Sequence, residues 1–222
     1  MDSHQQHLRR GFNWLGGATA IAKVVDLLAL LAVLLFLTKR EVGIASLVVS
    51  LGTIVEALDG LGTREALVQA RSVCRRELDT LFWFILGAAL LLAVLVLAAA
   101  PLVQAAYGIA GMAIYFIAVA AKQPVVGAAL IPLAMMNRDL QYERIAVVNV
   151  CATLGAALTR LGLAICGAGV WSLVGGYFAS GLYTLIAAQI ARPFLPRVRF
   201  RPAEIAPLAR FGVHAAAANL LE

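Results

Sequence analysis

The first long apolar segment, Leu15–Leu37, limits what this chain can form more than any other part of the sequence. As a helix its 23 residues extend roughly 34 Å, enough to cross a hydrocarbon core of roughly 30 Å. The segment nevertheless contains Lys23 and Asp26. Charges at such depth are costly and usually face a protein interior or a water-filled cavity. The sequence therefore predicts that this helix packs against partner helices.

The composition assigns the chain to the all-α polytopic membrane proteins. Hydrophobic residues make up 62% of the sequence and charged residues 14%. Soluble domains contain about 45–50% apolar and about 25% charged residues. The net charge of +6 does not indicate nucleic-acid binding, because the basic residues lie in short loops between apolar segments.

The apolar pattern predicts a lobe of six transmembrane helices. Pro101 is expected to end the third helix, and Pro124 and Pro132 to bend the fourth. The predicted spans are Leu15–Leu37, Val42–Leu58, Thr80–Ala100, Met112–Met136, Ile145–Cys166 and Val170–Ala191. The predicted domains are a cytoplasmic tail at 1–13, the lobe at 14–191, a basic cytoplasmic linker at 192–210 and the truncated start of a seventh helix at 211–222.

The distribution of basic residues predicts a cytoplasmic N-terminus. In that orientation thirteen of the 18 Lys and Arg lie in cytoplasmic segments, and only Lys39 and Arg40 lie in outer loops. The remaining three lie inside predicted spans. Such an excess of positive charge in cytoplasmic loops is typical of multi-pass proteins of the plasma membrane.

Polar side chains follow one face of four of the six predicted helices. Residues spaced by three, four or seven share a helix face, so the sets on the first, second and fifth helices form stripes, while the fourth helix carries its polar pair beside the kinking Pro124. Such stripes either join helices through hydrogen bonds worth about 0.6 kcal/mol each or line a polar cavity. The sets are Thr19, Lys23 and Asp26; Ser46, Ser50, Thr53 and Glu56; Lys122 and Gln123; and Asn149, Thr153 and Arg160.

The charges within the spans favour the cavity. Lys23 and Asp26 are three residues apart and can neutralise each other, but Lys122 and Arg160 have no acid within one turn of their own helices. Arg160 is expected near the middle of its span, with Asp26, Glu56 or a bound anion as its partner. This excess of cations predicts a positive cavity for an anionic ligand, such as a lipid-linked phosphate or pyrophosphate. The predicted cavity residues are Lys23, Lys122, Arg160, Ser50, Thr53 and Asn149, with Asp26 and Glu56 as ion-pair or coupling residues.

The third and sixth predicted helices carry no charged residue within their apolar core, and their patterns indicate contact with lipid and close helix packing. The third has no polar side chain between Ile85 and Ala100, which predicts a lipid-facing helix. The sixth carries a small residue every fourth position, which is typical of close helix packing. These small residues are Ser172, Gly176, Ser180 and Thr184.

Several short segments follow one another along the chain in an order that is typical of a known family. They are Gly11-Phe12-Asn13-Trp14, Glu41-Val42-Gly43-Ile44, Asp59-Gly60-Leu61-Gly62, Glu65-Ala66-Leu67-Val68-Gln69, Leu81-Phe82-Trp83, Trp171-Ser172-Leu173-Val174, Phe200-Arg201-Pro202 and Leu208-Ala209-Arg210-Phe211-Gly212. In this order and spacing the chain resembles the Wzx-type polysaccharide flippases, the O-antigen or lipopolysaccharide exporters of the MOP superfamily. Val42 departs from the resemblance, since that family usually has an aromatic residue before the glycine.

The resemblance implies a fold of two six-helix lobes around a central cavity. Such proteins move undecaprenyl-pyrophosphate-linked glycans to the outer leaflet of the bacterial inner membrane by alternating access. The resemblance covers the first half of that fold, so we expect an N-terminal lobe that does not transport alone. Lys23, Lys122 and Arg160 would contact the pyrophosphate or anionic sugars, while Asp26 would pair with Lys23 or take up a proton or cation. The expected partners are the missing C-terminal lobe, membrane lipids and glycan assembly enzymes.

Three alternatives remain open. A drug or cation exporter of the related MATE type would be favoured by an acid-rich cavity, but these spans are rich in cations. A membrane-embedded polysaccharide polymerase or ligase would need a large outer domain or catalytic side chains at the interface, whereas the predicted outer loops are short and lack His. We therefore expect a protein that is not an enzyme and has no cofactor or metal site. The third alternative is a structural or assembly partner.

Overall fold

A computed structural model describes residues 2–59 and 75–197, and all regular structure within these ranges is helical. It consists of six α-helices with one short 3₁₀ helix before the fourth. The helices are α1 (Asp2–Leu34), α2 (Lys39–Asp59), α3 (Arg75–Tyr107), α4 (Phe116–Arg138), α5 (Tyr142–Ile165) and α6 (Val170–Ala191), with the 3₁₀ helix at Met112–Tyr115.

Four of the helices, α3 to α6, are long and apolar enough to cross a membrane, where α4 is counted together with its 3₁₀ extension. Many large apolar side chains on these helices are exposed, as expected of surfaces that face lipid. The predicted all-helical membrane class is therefore confirmed. That α1 and α2 also span, giving six transmembrane helices, stays a prediction.

Two helices are longer than the hydropathy pattern predicts. Helix α1 starts at Asp2, so residues 2–13 of the predicted tail belong to the same helix as the first apolar segment. Helix α3 continues through Pro101 to Tyr107, so the prediction that Pro101 ends it was wrong. Ala100 is buried and Val103 packs on the same core, so packing on both sides of the proline keeps the helix intact.

Helix α2 begins with a capping box formed by Thr38 and Glu41, whereas the hydropathy pattern predicts a turn at Lys39-Arg40-Glu41. The carboxylate of Glu41 accepts hydrogen bonds from the backbone N–H of Thr38 at 2.8 Å and from its hydroxyl at 2.7 Å. The Glu41 N–H donates back to the Thr38 hydroxyl oxygen at 3.3 Å. These bonds hold the pKa of Glu41 below its ordinary value. The helix therefore starts at Lys39, three residues before the predicted Val42.

Helix α6 lies at the centre of the bundle. It packs against α5, α4 and α2, while α1 packs on α5 and α3 packs on α4. The largest apolar cluster joins α2, α4 and α6, with Val48, Val119 and Val174 fully buried. Side chains on different faces of α6 therefore reach three other helices.

The prediction that α3 faces lipid holds for one side of the helix only. Ile85 and Ala89 are buried against α4, where Gly127 leaves room for Ala89. The opposite side is exposed and carries Leu90, Leu91, Val94, Leu95 and Leu97. Side-chain polarity did not distinguish the two sides, because both are apolar.

Three parts of the sequence reading lie outside the described residues. These are the basic loop at 60–74, the linker from 198 to 210 and the predicted seventh helix at 211–222.

Candidate functional site

The most deeply buried cation of the described bundle is Lys122 on α4, which is 5% exposed. Its ammonium group lies 2.7 Å from Oε1 of Glu56 on α2. A buried charge without a partner is costly, so the Glu56 carboxylate stabilises the Lys122 ammonium group within the bundle. The sequence reading named Glu56 as an ion-pair residue and sought a partner for Lys122, and the structure brings the two together.

A tyrosine on α6 completes this site. The Tyr177 hydroxyl donates a hydrogen bond of 2.7 Å to Oε1 of Glu56, the same oxygen that contacts Lys122. The Lys122 ammonium also lies 3.5 Å from the centre of the Tyr177 ring, in a cation–π contact. Glu56, Lys122 and Tyr177 therefore join α2, α4 and α6, and we call them the triad.

Two glycines make space for the triad. A side chain at Gly52 on α2 would meet the Tyr177 hydroxyl, since its Cβ would lie 2.8 Å from that oxygen. A side chain at Gly181 on α6 would meet the aliphatic part of Lys122, at 3.0 Å from Cγ. Gly181 lies roughly 16 Å along α6, close to half the length of that helix. The Lys122 side chain therefore passes α6 close to the midpoint of that helix.

A second ion pair joins α5 to α1. The Arg160 guanidinium lies 3.1 Å from Oδ1 of Asp26, and the two side chains are 16% and 36% exposed. Arg160 packs closely over Gly176 of α6, where an added Cβ would lie 3.0 Å from the Arg160 Cβ. Arg160 is five residues from the end of α5 at Ile165, so the prediction that it lies near the middle of its span was wrong.

The two ion pairs meet on one stretch of α6. Gly176 receives Arg160, Tyr177 holds the triad together, and Gly181 receives Lys122. Because Gly176 and Tyr177 are adjacent, a shift or rotation of α6 would alter both ion pairs together. The predicted ridge of small residues is thus partly confirmed, since Gly176 lies in close contact with α5.

The other predicted cavity residues lie on the surface of the bundle. Lys23, Ser50, Thr53 and Asn149 are all exposed. Thr53 donates its hydroxyl to the backbone oxygen of Ser50 at 2.7 Å, which is a bond within α2. Among the described residues no hydrogen bond or ion pair is seen between these side chains and the triad, and their role in a cavity stays a prediction.

The charge balance differs from the one expected from the sequence. Lys122 and Arg160 each have a carboxylate partner, so each pair is close to neutral. Asp26 pairs with Arg160 and not with its neighbour Lys23, which is exposed. An anion would therefore have to compete with Glu56 or Asp26 for these cations.

The arrangement can bind an anion reversibly. A lysine ammonium has three donors and an arginine guanidinium has five, so both can hold a carboxylate and still reach further oxygen atoms. Phosphate oxygens are good acceptors for both groups. Within residues 2–59 and 75–197, no three His, Cys, Asp or Glu side chains come together as metal ligands.

Sequence reasoning missed Tyr177. The residue stands next to Gly176 in the ridge of small residues, and this position was interpreted only as packing. The available signal was an aromatic residue with a polar tip inside an apolar helix, since a buried tyrosine hydroxyl usually finds a partner. The partner itself is 121 residues away in sequence and gives no local signal.

The space at Gly52 gives a first test of the triad. Gly52→Ala should push the Tyr177 hydroxyl from Glu56, because the new Cβ would lie 2.8 Å from it. A lost hydrogen bond to a charged group costs about 1.5–3 kcal/mol, more than the gain of about 1 kcal/mol from alanine in a helix. Thermal unfolding in detergent should therefore show a lower midpoint for Gly52→Ala.

Gly43→Ala on the same helix is the matched control. Nothing lies within 4 Å of a Cβ at Gly43, so this change should leave the midpoint unchanged or raise it. Equal midpoints for the two variants would show that Tyr177 is not held tightly by Glu56.

Comparison with known proteins places the chain in a family. The sequence model of a family described as "Polysaccharide biosynthesis protein" matches residues 31–222. The matched region includes α2 to α6 and with them the whole triad and Arg160. Neither the curated proteins nor the solved structures contain a match.

Proposed function

Because the chain belongs to the polysaccharide biosynthesis protein family, we propose that it carries a lipid-linked oligosaccharide across the bacterial inner membrane. The cargo would be a glycan on an undecaprenyl-diphosphate anchor, moved to the outer leaflet by alternating access. One observation carries this proposal: two cations inside the helix bundle, Lys122 and Arg160, both contact the same stretch of α6.

The diphosphate anchor suits these two cations. It offers several oxygen atoms that accept hydrogen bonds from an ammonium or a guanidinium group. Among the described side chains each cation is held by a single carboxylate, so an incoming phosphate oxygen can replace that carboxylate without leaving the cation bare. Such an exchange makes binding strong enough for recognition and weak enough for release.

The exposed polar residues support a wet cavity beside the bundle. Exposed lysine, serine and asparagine are unfavourable against lipid, so Lys23, Ser50, Thr53 and Asn149 require a polar surrounding. In our proposal they line the cavity that a second lobe completes. The orientation follows the excess of basic residues in the loops and places the N-terminus in the cytoplasm.

A carrier is preferred to an enzyme of polysaccharide assembly. The connections 35–38, 108–111 and 166–169, at one end of the bundle, are four residues long each. They leave little room there for the interfacial catalytic site that a polymerase or ligase would need. Glycan assembly enzymes are instead proposed as partners that supply the cargo.

The substitution Glu56→Gln distinguishes an anionic cargo from a cationic one. It removes the charge that competes for Lys122, so undecaprenyl diphosphate should bind about tenfold more tightly, a gain of about 1.4 kcal/mol. Binding to purified protein in lipid nanodiscs would measure this effect. Glu143→Gln, which changes an exposed carboxylate at the start of α5, should leave the affinity unchanged.

A cation exporter predicts the opposite result. There Glu56 would hold the cargo, so Glu56→Gln would abolish binding of a lipophilic cation and would not strengthen binding of the diphosphate. Unchanged diphosphate binding in Glu56→Gln would also contradict the proposal, because it would separate Lys122 from the anion site.

A further inference from the structure

After α6 the chain stays attached to the bundle for six more residues. Residues 192–197, which we call the strap, run from the end of α6 to the start of α3. The strap reads Arg192-Pro193-Phe194-Leu195-Pro196-Arg197 and contains no helix or strand.

The side chain of Phe194 is buried between α3 and α4. It is 5% exposed, and its ring centre lies 6.1 Å from that of Phe82. The next residue, Leu195, is 78% exposed. The strap therefore inserts one side chain into the bundle and leaves its neighbour outside. The apolar residues around Phe194 are Leu78, Leu81, Phe82, Ile85, Ile131 and Ala134.

Side chains of the bundle also bind the strap's backbone. Gln189 on α6 accepts from the Phe194 N–H at 2.9 Å and donates to the Phe194 oxygen at 3.2 Å. On α3, Asp79 accepts from the Arg197 N–H at 3.2 Å and Trp83 donates to the Arg197 oxygen at 3.0 Å. Both polar backbone groups of each residue are thus bound by side chains.

Two further contacts fix the end of α6 to the short turn between α4 and α5. Arg192 forms an ion pair with Asp139 in that turn. Arg144, at the start of α5, donates to the backbone oxygen of Ala191 at 3.0 Å. The strap therefore begins from a fixed point.

The strap gives α3 contacts on a second side, in addition to its packing against α4. Among the described helices α3 packs mainly on α4 and the 3₁₀ helix, whereas α6 packs on α5, α4 and α2. A helix held mainly along one side can rock about its neighbour. The strap contacts α3 through Asp79 and Trp83, and α6 through Gln189.

We propose that the strap is a brace that ties the start of α3 to the end of α6, so that α3 moves as one body with the packed helices α4, α5 and α6. Its parts serve this purpose in different ways. Phe194 supplies apolar burial, and Gln189, Asp79 and Trp83 fix the path of the backbone. The brace would also set the position from which the following chain leaves the bundle.

Distances between spin labels on α3 and α6 test the brace. In a background with Cys74, Cys151 and Cys166 changed to Ser, Arg76→Cys and Ile190→Cys provide exposed labelling sites on the two helices. Pulsed electron–electron double resonance then measures the distribution of distances between the two spin labels. With an intact strap this distribution should be narrow.

Loss of the strap's contacts should broaden that distribution. Gln189→Ala and, separately, Phe194→Ala should widen it by about twofold or more, because α3 would then be free to rock about α4. Leu195→Ala, which trims the exposed neighbour, should leave the width unchanged. Equal widths in the intact protein and in both strap variants would overturn the proposal.

A second label pair separates loss of the brace from loss of the fold. Val147→Cys on α5 and Ile190→Cys on α6 report two helices that pack directly, so their distance should stay narrow in every variant. Broadening of this pair in both strap variants would also overturn the proposal, because the strap would then maintain the whole bundle. If only Phe194→Ala broadens the α5–α6 distribution, the proposal is judged from the α3–α6 distribution of Gln189→Ala.

Discussion

Replacing Lys122 by methionine, in a protein that also carries the proposed second lobe, is expected to abolish the proposed polysaccharide export and to destabilise the bundle. Methionine keeps much of the apolar stem of lysine but has no charge, so within residues 2–59 and 75–197 Glu56 would be left with only the Tyr177 hydroxyl. Removal of one partner of a buried ion pair typically costs about 3–5 kcal/mol. Loss of a charge-assisted hydrogen bond to phosphate should lower cargo affinity about 10- to 100-fold.

The double variant Lys122→Met with Glu56→Gln separates these two effects. It removes both charges, so much of the stability should return while the phosphate-binding cation is still missing. Surface polysaccharide should therefore remain absent, although thermal unfolding in detergent becomes close to that of the unchanged protein. Recovery of export in the double variant would mean that Lys122 only balances Glu56.

Lys39→Met is the matched control for the loss of a lysine. Lys39 is exposed at the start of α2, so its removal should change neither stability nor export. A comparable loss of export in this control would indicate a general effect of charge on membrane insertion.

Replacing Arg160 by alanine is expected to cause the second large effect, a loss of export with a smaller loss of stability. Asp26 is more exposed than Glu56, with side-chain exposures of 36% and 28%, so an unpaired Asp26 is better solvated. The stability cost should therefore be about 1 kcal/mol. Export should fall about tenfold or more if Arg160 binds a phosphate oxygen.

Arg160→Lys refines this test. Lysine keeps the charge but lacks the planar group that can hold two oxygen atoms at once, so export should be only partly restored. Arg40→Ala, which removes an exposed arginine at the start of α2, serves as the control. Normal export by Arg160→Ala, at normal protein levels, would remove Arg160 from the site.

The sequence anticipated the need for ion pairs but not the pairs themselves. It named Asp26 and Glu56 as the available acids, and the structure uses both. The sequence does not show which acid pairs with which cation, because Asp26 and Arg160 are 134 residues apart and meet only where α1 packs on α5. The local candidate, Lys23, was three residues from Asp26 on the same helix and was the wrong partner.

The ends of the helices also show which features the sequence predicts and which depend on packing. The predicted bounds of the sixth helix, Val170–Ala191, agree with α6 because a glycine-rich turn precedes it. At that turn Gly169 has a positive φ of 55°, which favours glycine, and the Glu41 carboxylate lies against its Cα. The predicted stop at Pro101 failed, because packing beyond the proline held the helix together.

The sequence by itself determined the class of this protein, the approximate position of its apolar helices and the need to neutralise the charges within them. Hydropathy and helical spacing are local properties, so a short window of residues reveals them. Only the tertiary structure decided that Tyr177 joins Lys122 and Glu56, that Arg160 rests on Gly176, and that the strap returns to α3. These contacts depend on which helices become neighbours and on where a missing side chain leaves room, and both arise from packing between distant segments.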